Sequence, residues 1–218
     1  MNADIRISDD PAQAAAELLA AADGHLVITG GSTPRAAYER VAGMREDWSG
    51  VDVWFTDERC VPPDHEQSNF GMAERSLLSR VEGATVHRMR GELGPHDGAA
   101  AYENELDEFG PDALDLILLG IGPDAHICSL FPRHDELGER ERRVVGVETP
   151  GMAPLVSRIT LTLPVVNASR QIVFLVTGDD KAKAARRVFA GPPDPDAPGS
   201  LVEGSVVALL DPAAAARL

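Results

Sequence analysis

The segment Gly120-Ile121-Gly122-Pro123-Asp124-Ala125-His126-Ile127-Cys128-Ser129-Leu130-Phe131-Pro132 sets an aspartate and a histidine two residues apart on a glycine-bearing turn. A carboxylate beside an imidazole can fix its tautomer, the arrangement a general base needs near neutral pH. A lone histidine is more often structural, and the chain has six; the neighbouring Asp124 is what singles out His126. Neither an HExxH motif nor a Cys/His cluster accompanies the pair, so no metal is expected there. Ser129 lies outside any G-x-S-x-G elbow and is not read as a nucleophile.

Other groups suit an anion. Gly30-Gly31-Ser32-Thr33-Pro34 is a glycine turn feeding a helix, where free backbone N–H groups and the positive end of the macrodipole favour a phosphate or carboxylate. Thr33 is expected to cap that helix, with Pro34 in its first turn. The spacing fits neither a Walker loop nor GxGxxG, which argues against a nucleotide. In Asp57-Glu58-Arg59 the arginine could clamp phosphate through its planar fork, while a carboxylate beside it orients a sugar hydroxyl or a neighbouring side chain. Arg158 in RITLTLP and Lys181 in TGDDKAKAARRV, each read alone, are solvated charges. Gathered with Arg59 and the glycine turn they would form a cationic pocket for one dianionic phosphate.

For these residues to meet, they must lie at one end of a sheet. The apolar runs HLVIT, VDVWFTDER (51–59), LDLILLGIG (114–122) and QIVFLVTGD (171–179) predict strands buried on both faces, and each sharp motif falls where such a run ends. Ligands of open α/β sheets bind outside the carboxyl ends of the strands. A first helix is expected from Asp10 as N-cap and Pro11 to a stop at Gly24. Further helical patterns are RAAYERVAG, QSNFGMAERSLLSRV, GAAAYENELDEFG and DKAKAARRVFA. RRVVGVE and RITLTLP are short and alternating and predict an antiparallel addition near residues 140–163, and SVVALLD predicts a last strand. The expected fold is α/β: a doubly wound, mostly parallel, Rossmann-like sheet flanked by helices, in a single domain spanning 1–218.

Composition sets the outer bounds. Apolar residues make up 44% of the chain and charged residues 25%, an ordinary globular balance. A formal net charge of −15 argues against nucleic acid or an anionic membrane surface as partner, so basic groups that serve an anion must be gathered in a cleft. Cys60 and Cys128 form neither a CxxC pair nor a disulfide framework, which fits a reducing cytoplasm. No signal peptide and no apolar stretch of membrane-spanning length is read. The expected partner is a small molecule, and the expected state a monomer or weak homo-oligomer.

Taken in order, GGSTP, FTDERCVPPDHEQSNFGMAERSLL, LLGIGPDAHICSLFP, RITLTLPVVNASR and VTGDDKAKA resemble the 6-phosphogluconolactonase family, a branch of the superfamily that also holds glucosamine-6-phosphate deaminases. The resemblance implies a cofactor-free hydrolase that opens 6-phosphoglucono-1,5-lactone in the oxidative pentose phosphate route. It implies His126 as the base that activates water and Asp124 as its orienting partner, with Asp57 close to the sugar. Gly30, Gly31, Ser32, Thr33, Arg59, Arg158 and Lys181 become phosphate and substrate contacts. The deaminase branch carries a glutamate five residues after the histidine, where this chain has Phe131, and an apolar ring cannot move a proton. A non-catalytic sugar-phosphate sensor would need an output module, and no basic helix-turn-helix segment is present. The family pattern also has glycine between the aspartate and histidine. Here that residue is Ala125, which is strained if the position takes a positive φ.

Overall fold

The apolar runs become the centre of a parallel sheet because strands covered on both faces need no polar face. The structure, a computed structural model, describes residues 2–218. In the first half the chain forms β1 (Ala3–Ile7), α1 (Pro11–Ala21), β2 (Gly24–Ile28), α2 (Ser32–Met44), β3 (Val51–Phe55), β4 (Asp57–Arg59), α3 (Asn69–Ser76), β5 (Thr85–Val86) and α4 (Pro95–Phe109). The second half adds β6 (Leu116–Leu119), β7 (Val144–Val147), β8 (Arg158–Leu161), α5 (Leu163–Ala168), β9 (Gln171–Val176), α6 (Ala182–Phe189) and β10 (Val206–Leu210), with short 3-10 turns between.

Seven strands form one sheet in the order β1-β10-β9-β6-β2-β3-β5, and every pairing within it is parallel. From β2 the chain moves outward through β3 to β5, then returns to the other flank through β6, β9 and β10. The order therefore reverses between β2 and β6, the point where open α/β sheets place their ligand crevice. A second, antiparallel sheet runs β4-β8-β7. The expected antiparallel addition is thus present, with one strand more than residues 140–163 supply.

That extra strand corrects the reading of 51–59 as a single strand. β3 ends at Phe55, and Asp57–Arg59 joins β8 instead, with Asp57 opposite Thr160 and Arg59 opposite Arg158. Thr56 is the residue of transfer: its N–H still donates to Ile28 O of the large sheet at 2.9 Å, while its carbonyl accepts Leu161 N–H of the small one at 2.9 Å. No backbone group is left orphaned by the change of sheet, so the break carries little cost.

Local signals explain the helix starts. Asp10 accepts Gln13 N–H at 3.3 Å and Pro11 opens α1, as expected, although the helix ends at Ala21, before Gly24. Ser68 caps α3 by accepting Gly71 N–H at 3.0 Å. Two buried tyrosines pin strand ends: Tyr38 OH donates to Thr29 O at 2.8 Å and accepts Thr29 N–H at 2.9 Å, and Tyr102 OH accepts Phe55 N–H at 2.8 Å. Burial pushes both phenols above their ordinary range, which keeps them neutral donors and acceptors. The core runs along the sheet through Leu26, Ile28, Trp54, Phe55, Ile117 and Phe174, all essentially inaccessible; burying each such side chain contributes about 1.5–3 kcal/mol.

Candidate active site

The carboxyl ends of three adjacent strands deliver three loops to one place. Gly30 and Gly31 follow β2, Gly120 to Phe131 follow β6, and Lys181 follows β9. The small sheet brings Asp57, Arg59 and Arg158 against them, and a cavity of about 260 Å³ lies between, lined by Gly30, Gly31, Asp57, Arg59, His126, Arg158 and Lys181. Of the residues expected at the site, Asp124, Ser32 and Thr33 do not line it.

Asp124 stands behind His126. Its Oδ1 lies 2.6 Å from His126 Nδ1 and also accepts the His126 backbone N–H at 3.2 Å. With Nδ1–H donated to the carboxylate, the lone pair is on Nε2, which has no partner among the described residues. Burial works to raise the Asp124 carboxyl, but the bonds and charge of His126 outweigh it and hold the group below its ordinary value. The turn is tight. A Cβ on Gly122 would overlap both the His126 ring and the Asp124 carboxylate, so only glycine permits this pair to lie over the backbone. Ala125 takes φ 72°, as does Cys128 at 51° and Arg133 at 64°, so three non-glycine residues in the left-handed region cluster on one loop. Alanine is accommodated at a position built for glycine, buried against the turn.

Phe131, which the sequence marked only by what it replaces, packs its ring 4.6 Å from that of His126, centroid to centroid. It walls the imidazole on one side with apolar carbon.

The glycine turn presents an uncapped helix end. Gly31, at φ 116°, precedes α2, and no side chain accepts from its first-turn N–H groups. Thr33 is not the expected cap: it lies within the helix, and its Oγ1 is 2.8 Å from Thr177 Oγ1, tying α2 to the end of β9. Ser32 is exposed at the helix start, where its backbone N–H adds to the positive end.

The three cations differ in freedom. Arg59 donates Nη1–H to Gln67 O at 2.6 Å, while its buried Nε has no partner among the described residues. Arg158, almost wholly buried, spends Nε on Val156 O at 3.0 Å and Nη2 on Pro154 O at 2.8 Å, and its Nη1 lies 4.0 Å from Asp57 Oδ2. Burial lowers its pKa and the Asp57 charge opposes that shift. Lys181 is half-buried, with Asp180 Oδ2 at 3.4 Å.

Glu58, weighed beside Asp57 as a group to orient a hydroxyl or a neighbour, faces away from the cavity. It accepts the N–H groups of Arg59 at 2.7 Å, Asn69 at 2.7 Å and Phe70 at 2.8 Å and the Ser68 hydroxyl at 2.9 Å, at the start of α3. Burial pushes its carboxyl up and these donors pull it back. It anchors the helix. Asn69, overlooked in the sequence inside a helical pattern, lines the cavity and donates Nδ2–H to Asp57 O at 2.8 Å. Its signal was the Ser-Asn pair at a helix start beside an acidic strand end.

The arrangement can bind an anion at one end and deliver an oriented imidazole at the other. The family model described as glucosamine-6-phosphate isomerases/6-phosphogluconolactonase matches residues 6–210. A 6-phosphogluconolactonase of Streptomyces coelicolor is 36% identical over 213 residues, covering 88% of this chain and 81% of its own. The solved 6-phosphogluconolactonase of Trypanosoma cruzi superposes with a TM-score of 0.85 at 25% identity, covering 100% of this chain and 97% of that one. A monomeric glucosamine-6-phosphate deaminase superposes with a TM-score of 0.82 at 20% identity, covering 100% of both chains, so the fold is shared across activities.

Proposed function

The chain belongs to the glucosamine-6-phosphate isomerase/6-phosphogluconolactonase family and is an enzyme of its 6-phosphogluconolactonase type, and from that premise we propose that His126 is the general base of its lactone hydrolysis. The substrate is 6-phospho-D-glucono-1,5-lactone and the product 6-phospho-D-gluconate. The observation that carries the reading is the 2.6 Å bond from His126 Nδ1 to Asp124, which leaves Nε2 as the basic nitrogen on a cavity that also holds cations and a helix N-terminus.

The phosphate lies against the Gly30–Gly31 turn at the positive end of α2, with Arg59 and Lys181 supplying charge. Nε2 removes a proton from water as its oxygen adds to the lactone carbonyl carbon. The resulting oxyanion collapses, the ring C–O bond breaks, and the departing alkoxide takes the proton back from the imidazolium. Asp124 stabilises that imidazolium, and the product acid loses its proton to solvent. General-base help of about 10²- to 10⁴-fold, with positioning, suffices for an activated cyclic ester. Asp57 accepts a hydroxyl of the sugar, and Arg158 holds the loop that bears Met152 and Ala153 against it. No cofactor enters the scheme. The two free cysteines support a cytoplasmic setting.

Phe131 favours lactonase over deaminase chemistry, since the ring beside His126 has no proton to relay. The test is the rate of lactone disappearance for wild type and His126→Asn with EDTA present, corrected for spontaneous hydrolysis. Fast, chelator-resistant turnover lost in the variant is expected. Full turnover by His126→Asn would remove it as base, and no acceleration by wild type would remove the lactonase reading.

A further inference from the structure

Resting on the lactonase reading, we propose that Ser129 is a positioning residue for hydrolysis, holding the Asp57 carboxylate in its substrate-facing orientation through a hydrogen bond from the histidine turn. Ser129 Oγ donates to Asp57 Oδ2 at 2.8 Å across 72 residues of sequence. Both groups are buried, Asp57 at 5% exposure and Ser129 at 1%.

The other neighbours of that carboxylate cannot do the same work. Thr56 Oγ1 has one proton and two acceptors within reach, Asp57 Oδ1 at 2.9 Å and Thr29 Oγ1 at 3.0 Å. Asn69 Nδ2 is 3.4 Å from Oδ1 and makes its short bond to the Asp57 backbone carbonyl instead. Arg158 Nη1, at 4.0 Å, is outside hydrogen-bonding distance. Ser129 is therefore the short, undivided donor, and the one on Oδ2.

Its own placement is fixed from two directions. The Ser129 N–H donates to Thr160 Oγ1 on β8 at 3.1 Å, and the turn from Ile127 to Leu130 is closed by Leu130 N–H on Ile127 O at 2.9 Å, with Cys128 left-handed between. Ser129 thus joins the turn that carries His126 to the strand that carries Asp57. It is not a nucleophile in this geometry, because it is buried, does not line the cavity, and donates its proton to Asp57.

The terminal torsion of an aspartate is soft. Without the serine hydroxyl the Asp57 carboxylate is free to rotate and close the 4.0 Å gap to Arg158, which moves Oδ2 from the place that Ser129 fixes. Loss of alignment at that scale costs about 10- to 100-fold in rate. Ser129 acts on the reaction only through Asp57, and that makes the claim testable by a cycle.

The experiment measures kcat and KM for the phosphorylated lactone with wild type, Ser129→Ala, Asp57→Ala and the double variant, alongside calorimetric titration with inorganic phosphate. Wild-type turnover is the control on the lactonase reading: its absence sinks that reading before Ser129 is consulted. With turnover present, Ser129→Ala is expected to bind one phosphate per chain with unchanged affinity, to lose about 10- to 100-fold in kcat and to keep its KM within about threefold. In the Asp57→Ala background the same substitution is expected to cost less than about twofold. Wild-type kcat in Ser129→Ala, or an equal loss in both backgrounds, overturns the proposal. Should Ser129→Ala fail to fold, Ser129→Cys, with a weaker donor at similar size, takes its place in the cycle under the same criteria.

Discussion

The Asp124 carboxylate meets His126 on the nitrogen that does not face the cavity, at 2.6 Å, and the same oxygen accepts the His126 backbone N–H. One carboxylate thereby sets both the ring's tautomer and its tilt. Replacing it with an amide keeps the shape and discards the charge. Asp124→Asn is expected to lower kcat by about 10- to 100-fold, less than loss of the base itself, with KM little changed. A steady-state comparison of the two variants checks this ranking, and an Asp124→Asn enzyme slower than His126→Asn would reverse the roles.

The same pair has a pH signature in stability. Asp124 is held below its ordinary value in the folded state, so its contribution is present above the unfolded carboxyl pKa and is lost as pH falls through the lower, folded one. The stability gap between wild type and Asp124→Asn is expected to hold down to about pH 4 and to shrink below it. Urea denaturation of both proteins from neutral to acid pH measures the gap. A gap that fails to shrink below about pH 4 would contradict the assignment.

Ala125 offers a test of backbone strain. At φ 72° an alanine gives up about 1–2 kcal/mol relative to glycine, while Ala125→Gly loses a buried methyl worth about 0.8 kcal/mol and gains unfolded-state entropy worth about 0.4–1 kcal/mol. These nearly cancel, so Ala125→Gly is expected to change stability by less than about 1 kcal/mol. Ala125→Val, β-branched in a left-handed position, is expected to cost more than about 2 kcal/mol. Thermal melting distinguishes the two, and similar melting points would show that the turn is not strained.

Arg59 lines the cavity and its buried Nε has no partner among the described residues, whereas two of the Arg158 nitrogens are occupied by backbone carbonyls. Arg59→Ala is therefore expected to raise KM for the phosphorylated lactone by about tenfold or more and leave an unphosphorylated gluconolactone almost unaffected. Arg158→Ala is expected to impair both substrates, because it frees the loop around Pro154. Kinetics on the two lactones separate a phosphate contact from a loop anchor.

Glu58 is an acid whose part is architectural. Its four short contacts at the start of α3 predict that Glu58→Gln, which cannot satisfy all four donors, costs about 1–3 kcal/mol of stability. Chemical denaturation reads the loss, and an unchanged midpoint would mean the helix start is satisfied otherwise.

Much of this was legible in the sequence because the chemistry follows the ends of apolar runs. LILLGIG and HLVITGG each announce a buried strand and the turn that must follow, so the histidine and glycine loops can be read from the sequence. What stayed hidden depends on partners distant in the chain. VDVWFTDER has no internal mark at Thr56, since the transfer to a second sheet is decided by Ile28 on one side and Leu161 on the other. Charged Asp4 and Arg6 alternate with apolar residues through Ala3–Ile7 at the sheet's edge, so β1 has no continuous apolar run to mark it. Thr33 has the composition of a cap but is drawn to Thr177, and Asn69 and Ser129 show their purpose only once Asp57 is beside them.

The change of sheet at Thr56 divides the site between two inheritances. The parallel sheet owns the glycine turn, the histidine turn and Lys181; the small sheet owns Asp57, Arg59 and Arg158. A lineage can therefore redraw the wall that bears Asp57 and Arg158 by altering the small sheet while the imidazole and the glycine turn stay as they are, provided Arg59 is kept. The seam between the sheets is where new sugar preferences would be written, and a library confined to Asp57, Arg158 and the Met152–Ala153 loop, with Arg59 kept, is the place to seek them.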